Sequence, residues 1–397
     1  MQLTEDQKKA VDSIISFVKS GKNLFTMGGY AGTGKTTTIS EAISILRKSK
    51  KYADLKIAFC CFTGKASIVL REKLQNANAL TSNDYCGTIH GLIYKPVIEN
   101  DRIIRWDKVF KIDADLIVID EASMIGDTIF EDLKSYNIPI IAVGDHGQLP
   151  PLFSKYNLME NPQIKLEKIH RQAESNPIIK VSIMARHGEK IPMGEVVGIN
   201  GEGVFKSDVP AMQLIESLHK VEDRLILCAR NKTRVLVNKK IRGMFGQNGN
   251  LIVGEKIICL KNNRQEKIFN GMIGEVTSFK CNHNPDFLKV NIKFELMGYE
   301  WSGDIFVHQF NREQTLRGWK DWTTKTEYTD MELRNLFDYG YCITVHKAQG
   351  SQADSVVLID ERMQTISDSN YNRWLYTGIT RASKNLIIVK NGLANIA

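Results

Sequence analysis

Two short stretches carry residues whose types and spacing suit chemistry on a phosphate anhydride. The first is Gly29-Tyr30-Ala31-Gly32-Thr33-Gly34-Lys35-Thr36, which fits the pattern G-x-x-x-x-G-K-[ST]. Glycines let a backbone wrap closely round phosphates with its N–H groups pointing inward, and a following helix turns its positive end to the same anion. In such a loop Lys35 reaches the β- and γ-phosphates and the Thr36 hydroxyl ligates Mg²⁺. The second stretch is Leu116-Ile117-Val118-Ile119 followed by Asp120-Glu121. Two acids at the end of an apolar run are costly to bury unless a metal and phosphates use them. Asp120 then holds Mg²⁺, and Glu121 polarises the attacking water. Further on, Gly144-Asp145-His146-Gly147-Gln148-Leu149-Pro150-Pro151 follows another apolar run, and its Gln148 could sense the γ-phosphate or position water. These residues point to a nucleoside triphosphate but not to the use of its energy.

Such groups need strands that end beside one another. Leu24 to Met27 predicts a short buried strand before the phosphate loop, and Thr37 to Lys48 a helix after it. Lys56 to Phe62 is a near-continuous apolar run, as a buried parallel strand requires. It ends in Thr63-Gly64-Lys65-Ala66 and a helix through Leu74; a second such loop is Thr88-Ile89-His90. Loops at the carboxyl ends of parallel strands are where open α/β sheets bind ligands. Upstream, Thr4 is a helix N-cap and Gln7 lies on the first turn, where its amide could pair with the edge of adenine. Gly201 to Phe205 reads as an irregular link, and Leu225 to Ala229 as a strand opening a second α/β unit. From about Leu251 short alternating strands take over; Tyr341 to Ile343 and Val356 to Asp360 return to the α/β pattern.

The chain of 397 residues has room for two or three domains, with 43% apolar and 25% charged residues. A net charge of +8 leans mildly toward a polyanionic partner. The seven cysteines show no C-x-x-C pair, and with no signal peptide they suggest a reducing cytoplasm. No apolar run approaches the roughly 18–20 residues needed to cross a membrane.

In order and spacing, Gln7, the phosphate loop, residues 63–66, Asp120-Glu121-Ala122-Ser123-Met124 and residues 144–151 resemble successive motifs of superfamily 1 DNA helicases. Thr344-Val345-His346-Lys347-Ala348-Gln349-Gly350-Ser351 narrows the resemblance to the 1B branch, that of RecD and the small phage helicase Dda. His170-Arg171-Gln172 resembles the motif IV arginine, and Trp374 to Ala382, with Arg381, resembles motif VI.

The resemblance implies an α/β fold of two RecA-like P-loop NTPase lobes with parallel sheets, ATP between them, and a small inserted β-barrel of Src-homology-3 type. The first lobe would span 1–195, the second 196–250 and 338–397, and the barrel 251–337. ATP and Mg²⁺ are the implied cofactors. The nucleotide would meet Gln7, Gly29, Gly32, Thr33, Gly34, Lys35, Thr36, Thr37 and Gly350, with Thr36 and Asp120 on the metal. Arg171 and Arg381 would complete the catalytic set of Lys35, Asp120, Glu121 and Gln148. Single-stranded DNA and its junctions with duplex would contact Thr63, Gly64, Lys65, Thr88, His90, Thr344, His346 and Lys347. Movement would run 5′ to 3′, and the protein would act as a monomer, with replication or recombination proteins as partners.

Residues 92–107 read as a hairpin, two β-prone runs around a polar turn, which Pro96 confines to an edge or a free-standing position. The branch places such a pin at the duplex junction, with Ile98 and Ile103 flanking the turn here. Three other readings remain at this point: a translocase that strips proteins without opening duplex, a binding protein with a vestigial ATPase, and an RNA helicase. The intact charge set speaks against the second.

Overall fold

Apolar runs flanked by turn residues become strands, and the amphipathic stretches between them become helices that cover both faces of a sheet. The computed structural model describes residues 3–390 except 100–101, 152–153, 155–156, 169–174, 199–201, 212, 215–223, 247–248, 250, 264, 267, 295–299, 322, 331 and 363–365. For Lys65, Pro96, Ile98, Glu99 and 102–106 only the backbone is described. The chain divides into two compact units, Met1–Arg186 and His187–Ala397. The resemblance implies a boundary at 195/196 instead.

The first unit runs α1 (Glu5–Ser20), β1 (Leu24–Gly29), α2 (Lys35–Arg47), β2 (Ile57–Cys61), α3 (Gly64–Asn76), β3 (Tyr85–Thr88) and α4 (Ile89–Ile93). Next come β4 (Tyr94–Glu99), β5 (Arg102–Lys108), β6 (Leu116–Ile119), α5 (Asp127–Lys134), β7 (Ile140–Gly144), β8 (Ile164–Leu166) and α6 (Pro177–His187). Six strands form one sheet in the order β3-β2-β6-β7-β1-β8, and all five pairings are parallel. Alternate residues of one strand serve two cores. Ile57, Phe59 and Cys61 pack with Ile14, Met27 and Ile43, while Ala58 and Cys60 pack with Ile117, Ile119 and Leu133. β4 and β5 pair antiparallel in a two-stranded sheet of their own, with Ile98 opposite Ile103. The side chains of both isoleucines lie outside the described residues.

The second unit opens with β9 (Gly194–Val197), β10 (Gly203–Ser207), β11 (Arg224–Cys228) and α7 (Asn231–Met244). It closes with β19 (Cys342–Thr344), β20 (Ala353–Asp360), α8 (Asp368–Ile379) and β21 (Ala382–Lys390). Its sheet has the order β19-β11-β20-β21-β10-β9, parallel except for the last pair. The segment expected to be an irregular link is largely β10, which buries Val204 and pairs along its full length with β21. Only one of its residues is apolar and fully buried, so the partner strand, far off in sequence, decides its conformation.

Between α7 and β19 lie β12 (Lys256–Cys259), β13 (Ile273–Cys281), β14 (Phe287–Phe294), β15 (Glu300–Phe306), β16 (Gly318–Lys320), β17 (Glu327–Thr329) and β18 (Phe337–Tyr339). Five of these make an antiparallel sheet, β15-β14-β13-β12-β18, with one buried face of Val276, Ile292, Phe294, Trp301 and Ile305. At one end the Phe306 N–H donates to the Asn335 carbonyl at 3.3 Å, just before β18. β16 and β17 form a hairpin held by rings: Trp319 stacks on His308 at 4.4 Å, and Tyr328 meets Phe306 edge-on. α7 joins this insertion to its host sheet through one buried polar stripe. Arg234 pairs with Asp338, the Asn238 amide donates to the carbonyls of Tyr339 and Cys342, and Arg242 pairs with Glu255.

Candidate nucleotide site and nucleic-acid contacts

The phosphate loop links β1 to α2. Gly32 and Gly34 have φ of 79° and 77°, and a Cβ on Gly29 would come within 2.6 Å of the Thr33 hydroxyl. Only glycine meets these demands without strain. Inside the loop the Tyr30 carbonyl gathers three donors: the Thr33 N–H at 3.3 Å, the Thr33 hydroxyl at 2.8 Å and Lys35 Nζ at 3.1 Å. Lys35 Nζ also donates to the Gly29 carbonyl at 2.7 Å. Gln7, only 1% exposed, forms a capping box with Thr4 and donates its side-chain amide to the Thr33 carbonyl at 3.0 Å. These bonds tie α1 to the loop. Thr36 stands in the first turn of α2, and Thr37 beside it is exposed.

β6 and β7 separate β1 from β2 in the sheet, so their carboxyl ends lie beside the loop strand. The Asp120 N–H donates to the Cys60 carbonyl at 2.8 Å, which carries the β-ladder one residue past β6. Asp120 Oδ1 accepts from the Glu121 N–H at 2.9 Å. Glu121 has φ 55°, a left-handed conformation that costs a non-glycine residue energy and recurs at functional sites. After β7, buried Asp145 accepts from the Gly147 N–H at 2.9 Å and from the Gln148 amide at 3.3 Å, so it orders the turn that presents Gln148. The hydroxyl of Thr36 and the carboxylate of Asp120 are hard oxygen donors, the kind Mg²⁺ takes alongside water and phosphate. That donor set fits the ion.

Three further side chains meet at the loop, Tyr30 and His146 from positions the motifs leave open and Arg186 from outside them. The Tyr30 and His146 rings lie 4.0 Å apart, and the Arg186 guanidinium sits 3.5 Å from the Tyr30 centroid. Burial pulls the His146 pKa below the usual histidine range. Positions 30, 146 and 186 show no shared period or spacing, so no local signal could have brought them together.

The loops expected to meet nucleic acid repeat one device. Thr63, Thr88 and Thr344 each stand at or just past the end of a strand, and each hydroxyl accepts from the backbone N–H three residues on: Ala66 at 3.2 Å, Gly91 at 3.0 Å and Lys347 at 3.4 Å. A hydroxyl used this way still has its own proton to donate. Gly64 and Lys65 begin α3, and the Lys65 side chain lies outside the described residues. His90 falls on the short helix α4, not in an open loop, with its ring 5.8 Å from those of Phe62 and Tyr94.

In the second unit, burial lowers the pKa of His346 and brings that of Lys347 down to about 8. Gly350 has φ 73° at the end of the same turn. Buried Arg381 donates to the carbonyls of Thr377 at 3.0 Å and Ser351 at 3.1 Å, joining α8 to that turn. Arg171 lies outside the described residues. Among the described residues the cysteines are free thiols, and no helix is long and apolar enough to cross a membrane.

Comparison with known proteins adds relatives to this geometry. A family model described as an AAA domain matches residues 7–154, and one described as a UvrD-like helicase C-terminal domain matches residues 339–389. The ATP-dependent RecD2 DNA helicase of Deinococcus radiodurans is 28% identical over 406 residues, covering 96% of this chain and 48% of that one. An uncharacterised protein of Methanocaldococcus jannaschii is 27% identical, with 98% and 39% covered. This chain thus spans about half the length, or less, of these two relatives. The ATP-dependent DNA helicase dda of Enterobacteria phage T4 is 24% identical, with 98% of this chain and 99% of that one covered. Among solved structures, a Pif1 helicase from Bacteroides in complex with ADP-AlF3 and single-stranded DNA shares the fold at a TM-score of 0.56, with 19% identity and 98% and 92% covered.

Proposed function

We propose that the chain is a superfamily 1 helicase of the RecD and Dda kind, an ATP-dependent DNA helicase that moves 5′ to 3′ on a single strand and parts duplex ahead of it. One observation supports this reading above the others. The phosphate loop, the Asp120-Glu121 pair and the Gln148 turn stand at the carboxyl ends of β1, β6 and β7, which are neighbours in one parallel sheet. That is where an open α/β sheet takes its ligand.

Lys35 releases the Gly29 and Tyr30 carbonyls to meet the β- and γ-phosphates. Thr36 and Asp120 would hold Mg²⁺, which would supply neutralising charge when bound. Glu121 orients and deprotonates the attacking water, and Gln148 reports on the γ-phosphate. Arg171 and Arg381 answer the charge that develops in transfer, a role worth roughly 10³–10⁵ in rate where such arginines have been measured. Thr63, Thr88 and Thr344 offer hydroxyl protons to strand phosphates, which holds DNA without reading its sequence.

We assign the two parallel sheets to two RecA-like lobes and the insertion to a partly closed barrel of Src-homology-3 type. The bond from Phe306 to Asn335, which ties the end of β15 to the approach to β18, supports closure. Hairpin β4–β5, paired only with itself among the described strands, is the proposed pin.

Duplexes carrying a single 5′ or 3′ tail, DNA or RNA, test the reading. Opening of the 5′-tailed DNA substrate is expected, and shortening residues 97–104 to a Gly-Ser turn should abolish it while DNA-stimulated ATPase persists. Preferential opening of the 3′-tailed duplex overturns the direction. Unwinding at the wild-type rate by a folded, shortened variant reduces the hairpin to a lid.

A further inference from the structure

Tyr30 occupies the second position of the phosphate loop, where the pattern accepts any residue. Its carbonyl is nonetheless the point on which Thr33 and Lys35 converge. Its ring is held by residues from two other places in the first unit. His146 comes from the turn after β7, and Arg186 from the last turn of α6. The guanidinium, 3.5 Å from the ring centroid, is within cation–π range. Both ring nitrogens of His146 are buried with no hydrogen-bond partner among the described residues, so its contact with Tyr30 is made by an imidazole with no hydrogen-bond anchor there. Asp145, Lys165, Lys35 and Arg186 are the charges facing it.

We propose that Tyr30 is a positioning residue for nucleotide binding, gripped by His146 and Arg186 so that the loop keeps its shape when Lys35 leaves the Tyr30 carbonyl for a phosphate. The same grip couples the loop to the turn that carries Gln148, since His146 lies between Asp145 and Gly147. This rests on the nucleotide-hydrolysis reading above. It goes beyond that reading by giving affinity for the triphosphate to a side chain that the loop pattern leaves open. A planar guanidinium lies flat on a ring in a way an ammonium does not, so arginine and lysine are not equivalent at 186.

The test uses the full chain with Mg²⁺ and ATP, measuring KM and kcat together with the Kd of a fluorescent ATP analogue. Tyr30→Ala should raise KM and Kd about tenfold with kcat within about twofold, the scale of losing one cation–π contact and a ring pair. Tyr30→Phe, which keeps the ring, should restore both, and Arg186→Lys should fall between. A Tyr30→Ala variant with wild-type Kd overturns the proposal, as does Tyr30→Phe behaving like Tyr30→Ala. Should Tyr30→Ala melt early, Arg186→Lys carries the test, and a wild-type Kd there also overturns it. If the wild-type chain itself neither binds nor hydrolyses ATP, the functional reading fails; if it does both and Tyr30→Ala is inert, only the grip fails.

Discussion

The two six-stranded sheets are built alike, and the charged groups singled out in each are handled differently. In the first unit Lys35, Asp120 and Glu121 stay half-buried at strand ends, held by backbone carbonyls, a ladder bond and a left-handed turn. In the second, comparable groups are sealed. The side chains of Arg234 and Asp338 are 3% and 1% exposed, and those of Arg242 and Glu255 are 5% and 1% exposed. Glu361 accepts from the N–H groups of Ala229 and Arg230 and caps the start of α7. A charge that must meet a ligand has to keep part of its bonding capacity; a charge that joins elements has to be saturated before it is desolvated.

The contrast breaks most visibly in stability. Asp338→Ala leaves Arg234 buried without its carboxylate, and should cost about 3–5 kcal/mol in denaturant unfolding of the second unit. Glu121→Gln should leave the first unit within about 0.5 kcal/mol, because the role proposed for its side chain lies in chemistry, not folding. Equal losses would erase the distinction. Next comes rate: Glu121→Gln should bind ATP and hydrolyse it at least ~100-fold more slowly, and Lys35→Ala should lose ATP-dependent activity. Normal turnover in Glu121→Gln would move the base elsewhere, Gln148 being the next candidate.

A smaller effect probes what the units share. Thr63→Val and Thr344→Val should each weaken binding of a labelled single-stranded oligomer, while Thr63→Ser and Thr344→Ser should not; Thr63→Val also loses a helix cap worth ~1 kcal/mol. An unchanged Kd in either valine variant removes that unit from the strand contact. The smallest effect is on pH. Burial favours neutral Lys347, so its charge is lost as pH rises through about 8, well below the unfolded value. Oligomer affinity should then fall above that pH, and Lys347→Met should flatten the profile. Stability should move the other way. Between the folded and unfolded pKa values the unfolded chain binds more protons, so stability rises with pH there.

Residues whose demands are local could be recognised from the chain alone. Gly32 and Gly34 need positive φ within three residues of each other, and the apolar run before Asp120 states its own burial. The N-cap at Thr4 and the hairpin at 94–108 were likewise local. β10 was not, since its conformation follows from β21, nor were the joint roles of Tyr30, His146 and Arg186. The order of the 301–337 stretch comes from ring contacts, such as Trp319 on His308, that leave no periodic pattern. Gln7 is a mixed case: its place on the first turn and its bond to Thr4 are local, but its bond to Thr33 depends on where the loop folds.

The stripe of Arg234, Asn238 and Arg242 on α7 has a consequence for the order in which the chain folds. β11 must pair with β19 across the whole insertion, and Arg234 finds Asp338 104 residues away. Contacts so distant in sequence form slowly, because the loop must close before they return any energy. An antiparallel meander of β12 to β15 is built from near neighbours and can form first. Once it has, β18 and β19 are delivered together to the buried face of α7, and the central sheet closes around them. A destabilised insertion would therefore slow the refolding of a sheet to which its first four strands do not belong.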